Sequence, residues 1–135
     1  MLLKKKLIFL LGYLFLNFLF LPAQMKTFVA PKTADALVNP LKGNSPATTE
    51  GKKTYVTYCA PCHGEKGKGD GVASAGLSKP PADHTSSVVQ QQTDGAIFWK
   101  ISEGNTPMPG YKKGLSETQI WQVVNYIRTL SKAKK

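Results

Sequence analysis

Both cysteines of the 135-residue chain lie in one pentapeptide, CAPCH, at residues 59–63. Two residues separate Cys59 from Cys62, and His63 follows directly. Four chemistries use thiols and imidazole at such spacing. A disulfide between Cys59 and Cys62 would close a very short loop and restrict the unfolded chain little. A thioredoxin-like exchange site calls for a βαβ setting, yet no stretch of this sequence alternates like a strand. A zinc site is countable as Cys59, Cys62, His63 and His84. Adjacent Cys62 and His63 are awkward ligands for one tetrahedral ion, however, and zinc sites usually keep their second ligand pair together. The fourth chemistry is covalent attachment of haem c, for which C-x-x-C-H is the sequence sign. The two thiols add to the two porphyrin vinyl groups, the intervening residues span the gap on a helical turn, and the next residue carries an imidazole to the iron. Only this reading uses all three side chains.

An iron held by His63 has a second axial face. Outside the first 23 residues the methionines are Met25 and Met108, and the other histidine is His84. Met108 lies in NTPMPGY, between Pro107 and Pro109. Prolines on both sides fix φ and limit backbone entropy, so a thioether can be held there without a helix. Met108 is the expected distal ligand. His84 and an open position are the alternatives, and a core-filling role is the plain reading of any lone Met. His84, in ADHTSS, reads as an exposed or turn-bonded residue.

Three helices must position these groups. The first is expected over 47–58, where Gly51, Tyr55 and Tyr58 recur at spacings of four and three. The second is expected over 94–103, capped by Thr93 or Asp94, with Ile97, Phe98 and Ile101 on one face and Gly104 at its end. The third follows Ser116, whose partner Gln119 completes a capping box, and runs to Leu130 along the stripe Ile120, Val123, Val124, Ile127 and Leu130. Residues 64–92 show no sustained period. The fold class is all-α with long loops. Three short helices make a thin core, and an apolar haem plate would complete it.

Residues 1–23 have the layout of a secretory signal peptide: Lys4, Lys5 and Lys6, then an apolar run over residues 7–21, then Pro22 and Ala23. The rival is a retained membrane anchor through residues 7–21, although that run is short of the ~20 residues a spanning helix needs. Either way the remainder is exported. It then carries fifteen Lys and Arg against eight acidic residues, a net +7. Residues 24–45, with Pro31, Pro40 and Gly43, read as a flexible tether; 46–131 form the domain; 132–135 are a basic tail. The charge suggests an acidic partner. Nucleic acid is not expected as a partner of an exported haem protein.

With these parts in view, the chain resembles class I c-type cytochromes, close to the single-haem bacterial modules found alone and fused to oxidase subunits. The resemblance covers about 48–131. GKKTYVTYCAPCHGEKGKGDG resembles the first helix and haem-binding loop, KPPADHT the proline-rich proximal turn, DGAIFWKISEGNTPMPGY the middle helix and methionine loop, and LSETQIWQVVNYIRTL the C-terminal helix with Tyr126 at the aromatic position. It implies a cytochrome c fold around one haem c, with Cys59 and Cys62 as thioether residues, His63 proximal and Met108 distal. It also implies that the carbonyl orienting His63 belongs to Pro80 or Pro81, and that the first and last helices cross at Gly51. Phe98, Trp99, Tyr111 and Trp121 are candidates for haem contact, and core packing serves each of them equally well.

Such ligation suits one-electron transfer in an exported, periplasmic respiratory chain. The protein is expected to be a carrier and not an enzyme, with an oxidase, reductase or quinol-oxidising complex as partner. Lys52, Lys53, Lys66, Lys68, Lys79, Lys112 and Lys113 flank the haem-binding segments and would steer an acidic partner to the haem edge. The alternatives are a fixed haem subunit of a larger membrane quinol-oxidising or oxidase complex, and a haem peroxidase or sensor, which needs an open iron position.

Overall fold

A computed structural model describes residues 28–131. The leader over 1–23 and the basic tail over 132–135 lie outside the described residues. Among the described residues no strand forms, only an isolated bridge between Asn105 and Met108. Nor, among them, is any helix long and apolar enough to cross a membrane.

The helices are α1 (Ser45–Tyr58), α2 (Ala60–His63), α3 (Ser87–Gln90), α4 (Asp94–Glu103) and α5 (Glu117–Thr129). Helix α1 starts two residues before the expected point. The Asn44 side chain accepts from the Ala47 N–H at 2.9 Å, and Pro46 sits in the first turn, where its missing N–H costs nothing. Helix α4 has the expected bounds, with Thr93 as its cap. Helix α5 carries the expected capping box of Ser116 and Gln119 and stops at Thr129, so Leu130 is its C-cap rather than its last turn.

The core is the α1–α5 crossing with α4 packed beside it. Tyr55, Ile97, Ile101, Ile120, Val123, Val124 and Ile127 are all buried there. The crossing is as close as backbone allows, because a Cβ on Gly51 would stand 1.8 Å from the Gln122 carbonyl oxygen. Only a residue without a side chain permits that approach.

The stretch expected as a tether over 24–45 is, from residue 28 onward, part of the domain. Lys32–Ala36 form a 3-10 turn against α4, with Ala34 buried. Asn39 is also buried; its amide donates to Asp94 at 2.9 Å and to Asn125 at 2.8 Å. Asp35 accepts from the Thr93 hydroxyl at 2.7 Å. These polar ties, and not a run of apolar residues, dock the segment. Burial works against the charge of Asp94, but hydrogen bonds from Asn39 and Arg128, and the charges of Arg128 and Lys42, hold its carboxyl below the usual carboxylate range.

Candidate haem site

The CAPCH turn continues directly from α1. The Cys59 N–H donates to the Tyr55 carbonyl at 2.8 Å, and the His63 N–H donates to the Cys59 carbonyl at 2.8 Å. Cys59, Cys62 and His63 therefore share a single helical turn. Both thiols are free and half-buried. Burial, then the neighbouring Cys62, pushes the Cys59 thiol up to about 12.

His63 is buried, and its Nδ1 lies 3.0 Å from the Ala82 carbonyl oxygen. The orienting carbonyl is thus one residue beyond the two prolines expected to supply it. Burial lowers the His63 pKa, against the opposing effect of that backbone bond, so the ring is held neutral. A neutral imidazole with Nδ1 tied to a carbonyl presents Nε2, the arrangement that metal-binding histidines adopt. The loop after the turn is pinned in the same way: the Gly69 N–H donates to the His63 carbonyl at 2.8 Å and the Gly71 N–H to the Cys62 carbonyl at 3.1 Å.

Met108 packs against the same apolar cluster as Cys59, and it is partly buried. Asn105 and Met108 exchange backbone bonds at 2.9 and 3.0 Å, which closes the loop after α4. The Tyr111 N–H returns to the Ile101 carbonyl at 3.0 Å, and the Tyr111 hydroxyl donates to the Tyr58 carbonyl at 2.9 Å, linking this loop to the end of α1. Of the other aromatic candidates, Phe98 and Trp121 stack on each other at 4.1 Å, while Trp99 meets Phe28 of the N-terminal segment at 5.8 Å.

His84 lies in a turn, one of its two expected settings, but not at the surface. It is 9% exposed. Its ring stacks on His63 with centroids 4.1 Å apart and planes 18° apart, and its Nδ1 lies 3.0 Å from the Tyr55 hydroxyl. Burial, and then the neighbouring His63, lowers its pKa to about 3, with Asp83 opposing. The seven flanking lysines are exposed as expected, though two are engaged: Lys53 with Glu50 at 2.7 Å and Lys112 with Glu103 at 2.6 Å.

Two free thiols and a tied imidazole on one turn, with a thioether at the edge of the same apolar cluster, fit a covalently attached iron porphyrin. A helical shell built around such a turn is that of a c-type cytochrome. Residues 46–127 match the family described as cytochrome c oxidase, cbb3-type, subunit III, and the chain belongs to that family. It is similar to the cytochrome c subunits of alcohol dehydrogenase (quinone) from Gluconacetobacter polyoxogenes and Komagataeibacter europaeus, 37% identical over 117 residues in each case. Those matches take in 80% of this chain and 23% of the relative, so the chain spans about a quarter of their length. Among solved structures, a chain of the reducing HAO-like protein complex of Kuenenia stuttgartiensis aligns with a TM-score of 0.61 at 26% identity, covering 73% of this chain and 49% of the other. A solved c-type cytochrome aligns with a TM-score of 0.53 at 26% identity, covering 61% of this chain and 98% of the other. Membership of this family makes haem c the cofactor and electron transfer the module's activity.

Proposed function

We propose that Cys59 and Cys62 hold the haem as thioethers, that His63 Nε2 is the proximal iron ligand, and that the Met108 thioether is the distal one. The observation that carries this reading is the His63 ring, placed one residue after Cys62 on a single helical turn and fixed through Nδ1 by the Ala82 carbonyl. When bound, the haem supplies a ferric–ferrous couple, and a soft thioether opposite an imidazole raises its potential relative to two imidazoles. The protein's part is to fill both axial positions, so that an electron passes with little rearrangement and no site for substrate remains. On this reading the module is a carrier and not an enzyme; a peroxidase or sensor would need the Met108 position open. The ferric spectrum tests the ligand set. A weak long-wavelength sulfur-to-iron band is expected, and a high-spin signature without that band contradicts it.

The exported chain meets its partners in the periplasm, with the leader over 1–23 either cleaved or retained as an anchor through residues 7–21. The exposed lysines around the haem-binding segments favour acidic docking surfaces on an oxidase, reductase or quinol-oxidising complex. Electron-transfer rates with such a partner should fall as ionic strength rises, and a salt-independent rate would remove the steering idea. A second reading, a fixed haem subunit of a larger quinol-oxidising or oxidase complex, draws support from the relatives, which are cytochrome c subunits of a quinone alcohol dehydrogenase. A free carrier purifies alone after a high-salt wash; a fixed subunit brings its complex with it.

A further inference from the structure

We propose that His84 is a positioning residue that sets the ring plane of His63, and that Tyr55 anchors it. The inference rests on the reading of His63 as the proximal ligand. A single carbonyl bond fixes the direction of an imidazole but leaves rotation about that bond open. Here the face of the His63 ring lies against the His84 ring at 4.1 Å, nearly parallel. A second ring pressed on the first removes that rotation only if it is itself immobile.

Three further ties hold His84 in place. Its backbone N–H donates to the Gly67 carbonyl at 2.6 Å, and its carbonyl accepts from the Gln90 amide at 2.7 Å. Its Nδ1 meets the Tyr55 hydroxyl at 3.0 Å, and the same hydroxyl lies 3.2 Å from the Gly64 carbonyl. A hydroxyl has one proton to give and accepts through its oxygen. Both contacts are satisfied together when His84 Nδ1–H donates to the Tyr55 oxygen and the Tyr55 O–H donates to Gly64. The circuit then closes on the ligand, because Gly64 follows His63 in sequence and Ala82, which orients Nδ1 of His63, stands two residues before His84. A phenyl ring at position 84 would stack but leave the circuit open, and Tyr55, 0% exposed, is not positioned to bond water in its place.

The test uses the full chain matured with haem, in His84→Phe, Tyr55→Phe and the double variant. Denaturing mass spectrometry first establishes covalent haem in each; failure of the unaltered protein at this step would overturn the ligand reading and this inference with it, whereas the NMR outcomes below bear on this inference alone. The proton NMR resonances of the ring methyls in the ferric protein then report the plane of the axial imidazole. The expected result is a changed spread of these resonances in both single variants, with the double variant shifted no further than either, as for residues acting through one bond. The unaltered pattern in both single variants, or additive shifts in the double, would overturn the proposal. Tyr55→Phe keeps the ring and removes only the hydroxyl, so its fold should survive; His84→Phe keeps a planar aromatic face at the same place. His84→Ala provides the largest displacement where it folds.

Discussion

The two sides of the haem site are built differently. On the ligand set proposed above, the proximal side, from Cys59 to Gly71 with residues 81–86 laid over it, is held by repeated hydrogen bonds: His63 Nδ1 to Ala82, the His63 carbonyl to Gly69, the Cys62 carbonyl to Gly71, and the His84–Tyr55–Gly64 circuit. The distal side, from Gly104 to Tyr111, holds Met108 through one reciprocal backbone pair with Asn105, flanking prolines and the Tyr111 ties. His63 is buried, whereas Met108 is partly exposed. The proximal side is thus tied by backbone and side-chain bonds together, and the methionine loop chiefly by its backbone frame with the Tyr111 hydroxyl. Loss of the two thiols should abolish the site, and loss of Met108 should open it.

The largest effect should come from replacing both thiols. In Cys59→Ser with Cys62→Ser, a haem-stained denaturing gel should show no covalent haem. Next comes Met108→Ala, which should keep covalent haem, lose the long-wavelength ferric band and lower the potential. If neither band nor potential moved, the distal ligand would lie elsewhere. A smaller contrast compares two glycines. A Cβ at Gly71 would stand 2.3 Å from the Pro61 carbonyl oxygen, and one at Gly110 would stand 2.4 Å from that of Glu103. Each Ala variant should lose about 1–3 kcal/mol in denaturant unfolding. Gly71→Ala should also reduce haem incorporation, while Gly110→Ala should weaken only the sulfur-to-iron band. The reverse assignment would break the comparison. The smallest effect is expected from Lys112→Gln, which removes an exposed ion pair bracketing the methionine loop. Such pairs are worth about 0–1 kcal/mol, so unfolding and spectrum should both stay close to unaltered.

The sequence made the polar chemistry legible where it is local. CAPCH, the proline frame of Met108, the Ser116–Gln119 capping box and the small residue at Gly51 each carry their meaning within a few residues, and the described fold is helical as their pattern implies. What remained hidden is tertiary. The segment before α1 reads as a tether because its docking depends on Asn39 meeting residues 55 and 86 positions away, while Val29 and Val38 point to solvent at 69% and 83% exposure. His84 reads as a turn residue because ADHTSS is indeed a turn: Asp83 accepts from the Thr85 N–H and hydroxyl at 2.8 and 2.6 Å. Nothing local reveals that this turn lies over His63, or that its carbonyl contact comes from Ala82 and not from a proline.

The central claim, a haem bonded to this chain through both cysteines, is tested most directly by the mass of tryptic peptide 54–66, which contains all of CAPCH. From protein matured with a competent attachment apparatus, that peptide should carry one haem with neither thiol free to alkylate. An unmodified peptide with two alkylated cysteines would contradict the account.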